Sequence, residues 1–108
     1  MSSRYSFIVS KPAESDIVSA MRYITETLHN QKAANDLFDK ISSAIDNACE
    51  FPYSNVTSEY FFISDDKIRH IVIGNYVLFY EIQDDEKRIA VLRFLLARMD
   101  FSKIQIKE

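Results

Sequence analysis

The sequence predicts an α+β domain of order βααβββ, in which an N-terminal helical hairpin packs on an antiparallel-dominated sheet. Three observations support this prediction. Between residues 12 and 49, apolar side chains recur every three or four positions, as they do in amphipathic helices. Residues 68–82 form two apolar runs joined by Gly74-Asn75, which is a specific hairpin signal. A third apolar run, 88–97, follows a polar turn.

The N-terminal half is predicted to contain one short strand and two helices. Residues 5–9 alternate between apolar or aromatic and polar side chains, which is typical of a half-buried strand. Pro12 fits the first turn of a helix, where its missing N–H costs nothing. Asn30 interrupts the apolar pattern and can cap the second helix, which ends before Phe51-Pro52. The short connection between the helices predicts an antiparallel hairpin.

The C-terminal half is predicted to contain three strands, which lie at about 67–73, 75–82 and 88–97. Residues 59–63 are a further candidate strand. A two-residue loop in the hairpin places Arg69 opposite Tyr80, and His70 opposite Phe79 on the other face. Both faces are apolar, yet the helices can cover only one of them. The second face therefore needs a cover, and a folded C-terminal tail, a partner protein and a homodimer are the alternatives.

Composition narrows the class of protein. The 108 residues are predicted to form one domain, 1–108, and the 47% hydrophobic and 27% charged content is typical of a soluble globular protein. No apolar run reaches the roughly 20 residues needed to span a bilayer. The single cysteine, Cys49, excludes an intramolecular disulfide and favours a reducing cytoplasm. The net charge of -3 argues against binding nucleic acid with the whole surface, although residues 87–107 are locally basic.

Short motifs follow one another in a fixed order along nearly the whole chain, and they are Ala13, Asp16-Ile17, Tyr23-Ile24, Ala33-Ala34, Phe51-Pro52, Ile68-Arg69, 75–80 and 92–98. Each motif is weak alone, but their order and spacing together resemble the RelE/ParE superfamily, the small bacterial toxins of type II toxin–antitoxin modules. The resemblance implies a compact toxin held inactive by an antitoxin whose C-terminal segment wraps it. We expect no cofactor and no metal.

The resemblance leaves two cellular targets open. RelE-like toxins cut messenger RNA in the ribosome, and ParE-like toxins poison DNA gyrase. RelE-like toxins resemble one another in having an arginine directly after the hairpin turn, where this chain has Val77, and they often end with a catalytic tyrosine or histidine, which residues 101–108 lack. The run 75–80 is closer to the ParE pattern. We therefore predict a toxin that acts by binding and not as an enzyme. The alternatives are a ribosome-dependent mRNA interferase and an inactive descendant that retains only antitoxin binding.

The candidate site residues are cations and aromatic side chains of the strands. Cleaving a phosphodiester through its 2′-hydroxyl needs a base, an acid and cations near the phosphate, for which the candidates are Arg69, His70, Arg93 and Arg98. Because neighbouring residues of a strand point to opposite faces, Arg69 and His70 cannot line one flat site. The candidates for contact with a target or antitoxin are Arg69, Tyr76, Tyr80, Arg93 and Arg98.

Two of these arginines also have structural interpretations. Arg69 should brace the sheet by stacking on Tyr80 across the hairpin. Arg93 lies inside an apolar run and would be costly if buried alone, so it should either lie on the uncovered face or pair with an acid.

Overall fold

Two helices pack on one face of a four-stranded sheet. A computed structural model of the protein describes residues 4–55 and 66–98. The elements in chain order are β1 (Ser6–Val9), α1 (Lys11–Arg22), a π-helical turn (Tyr23–Thr27, the π-turn), α2 (Gln31–Glu50), β2 (Ile68–Ile73), β3 (Tyr76–Gln83) and β4 (Arg88–Leu96). The predicted order βααβββ is confirmed. The candidate strand 59–63 and the C-terminal tail, 99–108, lie outside the described residues.

The sheet is mixed, with the strand order β1-β4-β3-β2. β3 pairs antiparallel with both β2 and β4, whereas β1 pairs parallel with β4. In the β2–β3 hairpin, Arg69 lies opposite Tyr80 and His70 opposite Phe79, as the predicted register requires. Gly74 adopts a φ of 60° in the connecting turn, a left-handed conformation that glycine reaches without steric cost. The hairpin prediction is therefore confirmed at the level of individual residue pairs.

Side chains cap both helices and attach the first of them to the sheet. Ser10 Oγ accepts a hydrogen bond from the Ala13 amide (3.2 Å) and donates one to the Leu92 carbonyl (3.0 Å). The same hydroxyl thus caps α1 and anchors its start to β4. Asn30 Oδ1 accepts from the Ala33 amide at 3.0 Å, which confirms the predicted cap of α2.

One apolar core fills the space between the helices and the sheet. The helices contribute small and aliphatic side chains, and Cys49 is among them as a buried core residue. From the sheet, Leu78, Tyr80, Val91 and Phe94 point into this core. Val91 and Phe94 are three positions apart, so regular alternation would place them on opposite faces. A bulge in the β3–β4 register between them brings both to the helix side.

The second face of the sheet is also apolar, as predicted. Val77 and Phe79 have no exposed surface and Leu95 is 4% exposed, whereas Val72 near the hairpin turn is 61% exposed. The His70 ring lies against Phe79, with 6.3 Å between ring centroids. The C-terminal tail, residues 99–108, which is one predicted cover for this face, lies outside the described residues.

Candidate functional site

The candidate residues lie in separate parts of the molecule. Arg69 and Tyr80 lie at the end of the sheet near residues 52–55. Arg93 faces the middle of α1, and Tyr76 and Arg98 lie near the hairpin turn. His70 is on the second face of the sheet.

Arg69 is engaged with the backbone of the segments on either side of residues 56–65. Its Nε donates to the Asp66 carbonyl and its Nη1 donates to the Asn55 carbonyl, both at 2.8 Å. The guanidinium lies over the Tyr53 ring, 5.1 Å from the centroid. A bracing role was predicted for Arg69, but the ring that it faces belongs to Tyr53 and not to Tyr80. The Arg69 guanidinium therefore interacts with groups of the chain itself.

Tyr80 is an interior residue with no exposed surface. Its hydroxyl donates to the Pro52 carbonyl at 2.6 Å and accepts from Asn55 Nδ2 at 3.2 Å. Burial raises the pKa of the Tyr80 phenol. Tyr80 is a predicted candidate for contact with a target or antitoxin, and the structure places its whole side chain in the interior. It holds residues 52–55 against the core.

A second polar group, the Asp84 cluster (Tyr5, Tyr53, Lys67 and Asp84), closes the same end of the sheet. The Asp84 carboxylate accepts from Tyr5 OH at 2.7 Å, from Tyr53 OH at 2.5 Å and from Lys67 Nζ at 2.6 Å. Lys67 also donates to the Tyr53 hydroxyl. These donors, Lys67 first, hold the pKa of Asp84 well below its usual range, and the carboxylate raises the pKa of Lys67. Because the four residues come from four segments, no local spacing in the sequence indicates the cluster.

Replacing Asp84 with asparagine should lower the melting temperature at neutral pH, and this difference from the wild type should begin to shrink as the pH falls below about 4. An unfolded aspartate titrates near 3.8, and the pKa is depressed in the folded state. The stabilisation is therefore complete above about 3.8 and is lost as the pH falls towards the folded pKa. Melting curves of both proteins between about pH 7 and pH 3 measure this. Asp85→Asn, in the same turn and exposed, is the control. A gap between wild type and Asp84→Asn that does not change with pH would contradict the assignment.

Arg93 forms a two-point ion pair with the first helix. Its Nε and Nη2 donate to the Asp16 carboxylate at 2.7 and 3.0 Å, and the side chains are only 21% and 14% exposed. Asp16 also accepts from the Phe94 amide at 3.0 Å. These hydrogen bonds raise the pKa of Arg93. Of the two alternatives predicted for Arg93, the uncovered face and an acid partner, the structure shows the acid partner, and the charge is directed towards α1.

The turn-end patch, consisting of Tyr23, Leu28, Tyr76 and Arg98, combines exposed apolar surface with a cation. Tyr23 and Leu28 are 51% and 54% exposed, and Arg98 is exposed just after β4. Burial raises the pKa of Tyr76, the neighbouring Tyr23 phenol raises it further and the Arg98 charge lowers it. The Ala97 amide donates to the Asn75 carbonyl at 2.8 Å, which places the backbone next to Arg98 at the hairpin turn that precedes Tyr76. Tyr23 was not among the predicted site residues, because helical periodicity does not indicate a π-turn.

An open groove of about 400 Å³ separates α2 from β2. Its walls include Lys40 and Ala44 on the helix and Ile71, Val72 and Gly74 on the hairpin. β2 is an edge strand of the described sheet. Such an edge presents backbone N–H and C=O groups that an extended chain can pair with.

Neither a cluster of metal-ligating side chains nor a membrane-spanning helix occurs in the described ranges, 4–55 and 66–98. There, no group of three or more His, Cys, Asp and Glu side chains is placed to hold a metal ion. No helix in these ranges has the length and apolar character to cross a bilayer.

The geometry does not assemble the predicted catalytic residues. Arg69 and His70 point to opposite faces of β2, as predicted. Arg98 lies beside the hairpin turn, because the amide of the preceding residue, Ala97, donates to the Asn75 carbonyl. Arg69 lies four residues before Ile73, the last residue of β2, which places it roughly 13 Å from that end of the strand. The arrangement can bind a partner through the groove or the turn-end patch.

Comparison with known proteins gives a consistent result. A family model described as "ParE toxin of type II toxin-antitoxin system, parDE" matches residues 7–101. The fold is similar to that of a chain in the chromosomal ParDE system from P. aeruginosa, with a TM-score of 0.68 and 12% identity over 90% of this chain and 100% of the other. It is also similar to a chain in the RelBE2 toxin–antitoxin complex from Mycobacterium tuberculosis, with a TM-score of 0.59 and 14% identity over 87% and 93%. No curated protein sequence matches significantly.

Proposed function

Because this chain belongs to the ParE toxin family of type II toxin–antitoxin systems, we propose that it inhibits growth by binding DNA gyrase and that a cognate antitoxin neutralises it. Membership of the RelE/ParE superfamily, predicted from the sequence, is confirmed.

Binding is favoured over catalysis because the two strand arginines, Arg69 and Arg93, contact groups of the chain itself. Arg69 donates to backbone carbonyls, and Arg93 is held at two points by Asp16. A site that cleaves RNA needs cations directed at the phosphate on which negative charge develops. His70, the candidate base, lies on the face of β2 opposite to Arg69. This arrangement supports a toxin that acts by occupying its target.

The antitoxin part of the proposal has separate support. Both similar solved structures are described as toxin–antitoxin systems or complexes. In this chain, the groove between α2 and β2 lies beside an edge strand of the described sheet. An extended antitoxin segment could pair with this edge and place alternate apolar side chains in the groove.

The proposal is tested with purified protein in two parallel assays. We expect supercoiling of plasmid DNA by gyrase to fall as the protein is titrated, and to recover when the antitoxin encoded by the neighbouring gene is added. Messenger RNA on ribosomes should remain intact at the same concentrations. Cleavage of that messenger RNA with no effect on gyrase would instead show that the protein is a ribosome-dependent ribonuclease. Antitoxin binding without effect in either assay would establish an inactive family member.

A further inference from the structure

We propose that Arg69 and Tyr80 form a clamp on residues 52–55, the segment that follows α2, and that this segment opens as one unit when the clamp is released. The two clamp residues lie opposite each other on β2 and β3. The opening is local, because residues 52–55 leave the sheet while the core stays folded.

Hydrogen bonds from the clamp reach the segment at both of its ends. The Tyr80 hydroxyl donates to the Pro52 carbonyl at 2.6 Å, and Arg69 Nη1 donates to the Asn55 carbonyl at 2.8 Å. Asn55 Nδ2 also donates to the Tyr80 hydroxyl at 3.2 Å. Asn55 is therefore held by both clamp residues, through its main chain by Arg69 and through its side chain by Tyr80.

The large side chains at the end of α2 and in the segment remain in contact with water. Phe51 and Tyr53 are 54% and 44% exposed. Because about half of each side chain stays exposed, apolar burial contributes little here, and hydrogen bonds have to supply most of what orders this backbone. Segments with few buried apolar contacts are the ones that open locally in native proteins.

The clamp residues are held by other parts of the fold and can stay in place when the segment leaves. Tyr80 lies in the core with no exposed surface, and Arg69 Nε donates to the Asp66 carbonyl at 2.8 Å. Opening would take the Asn55 carbonyl away from Arg69 Nη1. It would also remove the Tyr53 ring, whose centroid lies 5.1 Å from the guanidinium. The open state therefore presents a strand cation that the closed segment occupies.

The shape of the guanidinium provides a way to test the clamp separately from charge. Its donors point in fixed directions within one plane, so it can bind carbonyls of two segments at once. Arg69→Lys retains the positive charge but replaces this planar group with a compact ammonium. The substitution should release the segment if the clamp depends on geometry.

The experiment measures amide hydrogen exchange by NMR. The Ser54 amide, which donates to the Phe51 carbonyl at 3.1 Å, reports on the segment, and the amides of β3 report on global unfolding. Arg69→Lys and Tyr80→Phe should each raise the Ser54 exchange rate by roughly tenfold, the change expected when a hydrogen bond of this kind is lost. The rate in β3 should rise by a smaller factor.

Arg88→Lys is the matched control. Arg88 is a partly buried strand arginine whose Nε donates to the Gln83 side chain, away from residues 52–55 in the chain. Its replacement should leave the Ser54 exchange rate at the wild-type value.

Two results would overturn the clamp. If Ser54 in Arg69→Lys exchanges at the wild-type rate, positive charge alone is enough to hold the segment. If exchange rises by the same factor at Ser54 and in β3, the substitution lowers global stability and the segment is not a separate unit. Should Arg69→Lys fail to fold, the same two comparisons in Tyr80→Phe decide the question.

Discussion

Replacing Asp16 with alanine should lower the free energy of unfolding by about 3 kcal/mol, a large loss for one side chain. The carboxylate accepts two hydrogen bonds from Arg93 and a third from the Phe94 amide, and it is mostly buried. Without it, a largely buried guanidinium loses its counter-charge and a strand amide loses its acceptor. Arg93→Met should cost less, because Asp16 keeps the Phe94 amide and the new side chain retains an apolar stem.

Urea unfolding followed by circular dichroism measures both losses, with Asp39→Ala, an exposed acid of α2, as the control. The control should stay within about 0.5 kcal/mol of the wild type. If Asp16→Ala unfolds at the same urea concentration as this control, the ion pair contributes nothing to stability.

The second large effect is expected at Tyr80. Tyr80→Ala should lower the free energy of unfolding by about 4 kcal/mol, since it removes a fully buried aromatic ring from the core. Tyr80→Phe keeps the ring and removes only the hydroxyl, which donates to Pro52 and accepts from Asn55. We expect that change to cost about 1–2 kcal/mol.

The comparison of the two variants separates packing from hydrogen bonding, and Tyr23→Ala provides a matched loss of an exposed tyrosine. That control should change the free energy of unfolding by less than about 0.5 kcal/mol. Equal losses for Tyr80→Phe and Tyr80→Ala would show that the ring contributes nothing beyond its hydroxyl, contrary to its place in the core.

Features encoded by neighbouring residues were predictable from the sequence. The Gly74-Asn75 turn determines which residues of β2 and β3 face each other, so the pairing of Arg69 with Tyr80 followed directly. The cap at Asn30 was predicted because the residue interrupts an apolar period. The cost of burying its charge alone left two alternatives for Arg93, the uncovered face and an acid partner, and neither the choice between them nor the identity of the acid followed from the sequence.

Features that depend on distant segments were not predictable. The Asp84 cluster joins four parts of the chain, and no local pattern connects them. The bulge in β4 turns Phe94 into the core, and the π-turn adds Tyr23 and Leu28 to one surface. Both are single-residue departures from a regular period. Such departures are selected by packing against other elements, so periodicity alone does not indicate them.

The parallel pairing of β1 with β4 has a consequence for synthesis of the toxin. Within residues 4–55 and 66–98, β1 joins the sheet only through β4, and Ser10 at the start of α1 donates to Leu92, 82 positions later in the chain. The helical hairpin has local contacts and can form on a nascent chain, but β1 has no strand to join until β4 has left the ribosome. A polypeptide that terminates before residue 88 therefore cannot complete the sheet. Truncated translation products should be harmless, and toxicity should arise only from nearly complete chains.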